Sequence, residues 1–174
     1  MAGKRLPFKQ KMPYEIETSN YTTIINKLKE AKFKKYVIDD SQYMMAFELF
    51  DKAKQTGYNK FTDIAVNFQK LIATIVNNTP DDCIVYLLHH VEETNTGKIK
   101  IKTVGQMLDN QLTVEGLFTI VLMAKYSNKE YKFITQTDGS TPCKSPMDMF
   151  DLEIPNDLKL VDTKIREYYE LGEK

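Results

Sequence analysis

The chain has 174 residues, 42% hydrophobic and 28% charged, with 24 lysines and arginines balanced by 24 aspartates and glutamates. That length suits one domain with a sizeable core, and the lack of a Pro/Gly-rich or low-complexity tract argues against extensive disorder. Net neutrality gives no bulk-charge reason to bind nucleic acid, so any such contact rests on local patches.

The N-terminal stretch MAGKRLPFKQK is basic, with Lys4, Arg5, Lys9 and Lys11, but has no apolar signal core or small-residue cleavage site. The longest apolar runs, such as GLFTIVLMA at Gly116 to Ala124, fall short of the roughly 18 to 20 residues that span a bilayer. A cytoplasmic protein with no membrane contact is therefore expected. Cys83 and Cys143 lie far apart without histidines at a metal-ligand spacing, and read as free thiols.

In chain order, Ser19 or Asn20 caps a helix whose apolar side is Ile24, Ile25 and Leu28 and which ends among lysines. A strand follows at Tyr36 to Asp39. MMAFELFDKAKQTG reads as a helix closed by Gly57, and FTDIAVNFQKLIATIVNN as a longer one with Ile64, Phe68, Leu71, Ile72 and Ile75 on one side. CIVYLLHH, after the Thr79-Pro80-Asp81-Asp82 turn signal, is an apolar run of strand length. LFTIVLMAKYS and EYKFITQT form a hairpin about Ser127-Asn128-Lys129, and Pro155, Asn156 and Asp157 start a final helix striped by Leu158, Val161, Ile165 and Tyr168. Strands alternating with helices, then a hairpin, predict an α/β fold: a mixed sheet, parallel in the middle, layered by helices.

KKYVIDDSQYMM, Lys34 to Met45, runs an apolar strand into two adjacent aspartates. Ligands of parallel sheets gather at the carboxyl ends of the strands, where Asp39 and Asp40 fall, with His89 and His90 at the corresponding end of the next strand. There Asp39 can hold magnesium through water and Asp40 can orient an attacking water. Equally, Asp40 caps the helix beginning near Tyr43 and His89 is a hydrogen-bonded residue at the core edge. The residue types leave both readings open. The basic patches are the N-terminal one, Lys27 to Lys35, and GKIKIK at Gly97 to Lys102, and each also reads as a solvated face.

These blocks recur in order in a known group. From Leu6 to Leu171, through LPFK, YVIDDSQYMM, YNKFTDIA, VYLLHHVEE, KIKIKTVGQMLD, GLFTIVL, TQTDGSTPCKSPMDMF and IPNDLKLVDTKIREYY, the chain resembles the RecA-like AAA ATPases of bacteriophages. That group includes the Sak-type single-strand annealing and recombination proteins. The resemblance implies a bacterial host cytoplasm, magnesium and ATP as family cofactors, Asp39 as the Walker B magnesium carboxylate and Asp40 as the water-polarising acid. It further implies His89 as the γ-phosphate sensor, Lys144 as a cation reaching a neighbouring subunit's phosphate, and Lys98, Lys100 and Lys102 in the region that holds single-stranded DNA.

One departure outweighs the matches. None of the seven glycines (Gly3, Gly57, Gly97, Gly105, Gly116, Gly139, Gly172) stands in a G-x-x-x-x-G-K-[ST] loop. Without that loop's amides and lysine, a triphosphate loses four or five charge-assisted hydrogen bonds, on the order of 6 to 12 kcal/mol, which is most or all of a micromolar affinity. The expectation is a single truncated RecA-like domain over 1–174, lacking the first strand, P-loop and helix of the core, with no tightly bound nucleotide and no efficient ATP hydrolysis on its own. The gap left in the sheet is to be filled by the N-terminal stretch MAGKRLPFKQK or by a second chain, so self-association or a partner is expected.

Two further readings stand beside this one. One is a protein-binding module that docks on a host enzyme or defence complex, with the aspartates as inherited structure. The other is a metal-dependent phosphoesterase built on Asp39, Asp40 and His89 or His90.

Overall fold

A computed structural model describes residues 14–172. The LPFK block and the basic stretch at Lys4, Arg5, Lys9 and Lys11 lie outside the described residues. The chain divides into two compact units: one runs to His90 and takes in Lys102–Thr113, and the other comprises Val91–Ile101 and the chain from Val114 on. The architecture is mixed α/β, with five α-helices and seven strands in three small sheets among the described residues. The parallel and antiparallel pairings expected in one mixed sheet fall in separate sheets.

In the first unit, α1 (Tyr21–Lys29) starts at Asn20, whose Oδ1 accepts the Thr23 N–H at 3.0 Å. It places Lys27 and Lys29 in its last turn, where cations complement the exposed carbonyls. Ala31 stops it by turning left-handed at φ 49°. β1 (Lys35–Ile38) and β2 (Ile84–Leu87) pair in parallel, Lys35 opposite Ile84 and Ile38 opposite Leu87. Tyr36, Ile38 and Val85 point to one side, where they meet Leu28 of α1, Met44 of α2 (Gln42–Asp51) and Leu71 of α3 (Asn59–Asn78).

The predicted stripe of α3 is the buried one: Ile64, Phe68, Leu71 and Ile72 are buried and Ile75 packs against the same cluster. α2 ends six residues before Gly57, and the intervening turns bring Lys52 to 2.8 Å from Glu48 and 2.9 Å from Asp63 of α3. The Glu48 hydrogen bond leads the causes that raise the Lys52 pKa. Gly105 (φ 85°) precedes the short α4 (Gln106–Gln111). A Cβ there would lie 3.2 Å from the Phe61 ring, so this close approach requires glycine.

In the second unit, β3 (Val91–Glu93) and β4 (Ile99–Ile101) form a small hairpin, and Glu115 in the 3-10 turn Val114–Leu117 accepts the Ile101 N–H at 2.7 Å. β5 (Met123–Ser127) and β6 (Glu130–Ile134) form the expected hairpin, closed by Asn128 and Lys129 at φ 52° and 65°, the left-handed pair of a two-residue turn. β5 is shorter than the apolar run suggested. β6 ends opposite Met123, and beyond it the Thr135 N–H and hydroxyl turn to Leu152 O and Asp151 O, so the β5–β6 ladder does not continue over Gly116 to Leu122, where Val121 makes an isolated bridge to Lys144.

β7 (Glu153–Pro155) adds to the other side of β6, on a sheet edge where proline's missing N–H is tolerated. Asp157 then caps α5 (Leu158–Tyr168), accepting the Lys159 N–H at 2.7 Å. Val161 and Ile165 of α5, Ile154, Met149 and Cys143 are buried, and burial pushes the Cys143 thiol pKa up. No helix among the described residues is long and apolar enough to cross a membrane.

One buried polar group in the first unit yields a pH prediction. The Tyr21 hydroxyl is buried without a hydrogen-bond partner, and burial, with the Glu48 carboxylate adding, drives its pKa far above the usual 10. A raised acid pKa favours the fold less as pH climbs, because above pH 10 the unfolded chain releases a proton that the folded one retains. Tyr21→Phe is expected to match or exceed the parent's stability at pH 7. Above pH 10 it should lose stability less steeply, by about 1.4 kcal/mol per pH unit, in urea melts. Equal slopes for both proteins would contradict this.

Candidate functional site

Parallel pairing puts the carboxyl ends of β1 and β2 side by side, so Asp39 and Asp40 leave one strand where Leu88, His89 and His90 leave the other. The junction is tied by backbone bonds, Leu88 N–H to Ile38 O at 3.0 Å and Ser41 N–H to Leu88 O at 2.9 Å. To make that second bond the chain reverses at Asp40, which adopts a left-handed φ of 51°, a conformation that aspartate tolerates better than most residues. The reversal delivers Ser41 to the start of α2, fully buried, with its hydroxyl 3.0 Å from Leu88 O and 2.8 Å from His89 Nδ1.

The His89 ring is engaged at both nitrogens. A carbonyl only accepts, so Nε2 carries a proton and donates it to Lys102 O at 2.8 Å, while Nδ1 meets Ser41 Oγ. The ring is tilted at 59° to that of Phe68 of α3, centroids 5.8 Å apart. Lys102 closes the same corner with its own N–H donated to His90 O at 2.9 Å, so it acts here through its peptide groups and leaves its ammonium exposed.

The two aspartates part company at the left-handed reversal of Asp40. Asp39 lines an apolar groove beside α1 and β1. Asp40 turns the other way: its side chain is 13% exposed and Oδ1 stands 3.2 Å from His90 Nε2. His90 in turn sets its ring edge-on to Tyr43, 5.5 Å between centroids. Asp40 Oδ2 is buried with no partner. The carboxylate thus does not bond the first turn of α2, the capping role open to it in the sequence. Ser41 occupies the cap position, and its hydroxyl serves His89 and Leu88 instead.

These positions do not fit a magnesium-triphosphate site. One orphan carboxylate oxygen is a suitable cation ligand, but its neighbour Asp39 lines the groove beside α1 and β1 and both His89 nitrogens are committed. Among the described residues, no three histidine, cysteine, aspartate or glutamate side chains converge as a metal-binding group.

The remaining expected site residues fall in other places. Lys144 lies in the second unit, bridged to Val121 through paired backbone bonds of 2.8 and 2.9 Å, with its ammonium 3.5 Å from Gly116 O. Lys98 and Lys100 belong to the β3–β4 hairpin of the second unit and Lys102 to the first. Lys100 pairs with Glu92 across the hairpin at 3.0 Å, and Lys98 is exposed. Ser41 and Tyr43 escaped the sequence reading, although both lie inside KKYVIDDSQYMM. The signal for Ser41 was a small hydroxyl residue placed where a strand-end turn enters a helix.

No family model, no curated protein and no solved structure matches this chain.

The strain at Asp40 and its orphan oxygen make a paired prediction. Asp40→Gly removes both the left-handed penalty and the unpartnered carboxylate, and is expected to leave stability unchanged or raised by up to about 1 kcal/mol. Asp40→Val, β-branched at φ 51°, is expected to cost about 1 to 3 kcal/mol. Urea denaturation of the two variants checks this; a glycine variant less stable than the valine one would contradict it.

Proposed function

We propose that this chain is a relative of the RecA-like phage recombination ATPases in which the Walker B and sensor strands serve as a scaffold, and that its 174 residues do not hydrolyse ATP efficiently by themselves. The observation that supports the reading is the parallel adjacency of β1 and β2, with the acidic pair and the histidine pair at their shared carboxyl ends. Support for the non-hydrolytic half comes from where those groups are spent. Asp40 is bonded to His90, His89 is bonded to Ser41 and Lys102, and the sequence holds no phosphate loop to meet a triphosphate.

Single-stranded DNA draws limited support. On the β3–β4 hairpin Glu92 holds Lys100, leaving Lys98 as its exposed ammonium. Neutralising one phosphate corresponds to a salt slope of only about −0.7 on a single strand. Contact of that size is weak and lost at moderate salt.

Calorimetric titration with magnesium-ATP and a phosphate-release assay test the proposal together. No saturable uptake is expected up to about 1 mM nucleotide, with phosphate release at buffer level and unchanged by Asp40→Asn. Magnesium-dependent binding with a dissociation constant of about 10 μM or tighter, or phosphate release that Asp40→Asn abolishes, would overturn it.

A further inference from the structure

In the second unit β5 is hydrogen-bonded to β6 alone among the described residues. The phase of the ladders fixes which of its peptide groups that pairing uses. Asn156 N–H bonds Tyr131 O at 3.4 Å and Thr135 N–H bonds Leu152 O at 3.1 Å, so the odd-numbered peptide groups of β6 face β7 and the even-numbered ones face β5. Opposite the even-numbered ones stand Met123, Lys125 and Ser127. Val121 spends its own pair of backbone bonds on Lys144. The alternate peptide groups, those of Leu122, Ala124 and Tyr126, make no backbone bond among the described residues. Ala124 is exposed and Tyr126 is 60% exposed, and Tyr126 faces Tyr131, itself 67% exposed, with ring centroids 4.7 Å apart. An edge that offers unspent peptide groups beside an aromatic surface is suited to pairing with another strand.

The sequence of the strand selects the occupant. Antiparallel pairing with a second copy about a two-fold axis at Ala124 sets Ala124 against its equivalent, Tyr126 against Leu122 of the second copy and Lys125 against Met123 of the second copy. In that register the three unspent peptide groups of each copy all find partners, about six main-chain bonds together, and no like charges are opposed. An axis at Lys125 opposes two ammonium groups. An axis at Tyr126 sets Ala124 against Asn128, a turn residue at φ 52°, and shortens the ladder. The lysine in the middle of the edge thus excludes one register and leaves the longer one open. The far edge of the sheet does not repeat the contact, since β7 has only three residues and Pro155 has no N–H to give. Pairing through β5 therefore closes at two copies.

We propose that the outer edge of β5 is a self-association surface, on which two copies of this chain pair antiparallel about Ala124 and join their three-stranded sheets into one, with Tyr126 of each copy packed on Leu122 of the other. The proposal goes beyond the nucleotide reading and does not rest on it.

Sedimentation equilibrium of the full chain between about 5 and 500 μM tests it. A contact of one short strand lies at the small end of interfaces, so a monomer–dimer equilibrium with a dissociation constant of about 10 to 100 μM is expected. Ala124 is exposed, so Ala124→Asp and Ala124→Lys leave the fold intact by circular dichroism while opposing like charges across the axis. Each variant alone is expected to dimerise about tenfold or more weakly than the parent, and an equal mixture of the two to regain dimers as the aspartate of one meets the lysine of the other. A parent that stays monomeric at about 500 μM, assemblies larger than two, or a dimer that Ala124→Asp leaves unchanged would each overturn the proposal. So would a mixture that associates no better than either variant alone, since Ala124 would then not face its equivalent.

Discussion

Ser41 Oγ and His89 Nδ1 meet at 2.8 Å across the ends of two parallel strands that are each only four residues long. A parallel pair of that length is a weak unit by itself: its bonds are slanted and few, and a two-stranded sheet is marginal without packing or additional ties. Packing comes from Leu28, Met44 and Leu71 on one face. The tie comes from a fully buried serine, a histidine beside Phe68 and the carbonyl of Lys102. Each net bond is worth about 1 kcal/mol, but leaving one buried partner unpaired costs about 1 to 3 kcal/mol, so the corner is held mainly by the penalty for opening it. The reversal at Asp40, the start of α2 and the return of the chain at Lys102 all depend on this corner.

That dependence changes what an apolar strand ending in two aspartates means. The pattern is compatible with a magnesium site, and equally with a strand that must reverse within one residue, because aspartate tolerates the left-handed conformation that the reversal needs. In this chain Asp40 takes the second role and pairs with His90, while Asp39 lines the groove beside α1 and β1. The acids and imidazoles lie at the neighbouring strand ends, as their positions predict, but only Asp40 and His90 pair with each other, and His89 is bonded to Ser41 and to the Lys102 carbonyl.

Much of the first unit was legible from local pattern. The Asn20 cap, the α3 stripe, both strands and their parallel relation follow from periodicity and from turn residues at the right offsets. The hairpin at Asn128 was equally plain, since a two-residue reversal needs the left-handed backbone that asparagine accepts. What escaped were features set by distant partners. β7 is three residues long and ends in Pro155, so alone it reads as a helix start, and only β6 makes it a strand. The division of the strands into three sheets is likewise non-local. In the site, the residue types named the participants but not their bonds. Ser41 finds His89 forty-eight positions away, and Lys102 contributes a carbonyl that any residue carries.

Ser41 and His89 hold the strand ends together as partners, and a double-mutant cycle reads that coupling directly. Urea denaturation of Ser41→Ala, His89→Phe and the double variant is expected to give a coupling energy of about 1 to 3 kcal/mol, the double variant losing less than the sum of the two. Single-variant losses that add to within about 0.3 kcal/mol would show the two side chains to be independent, and would contradict the account.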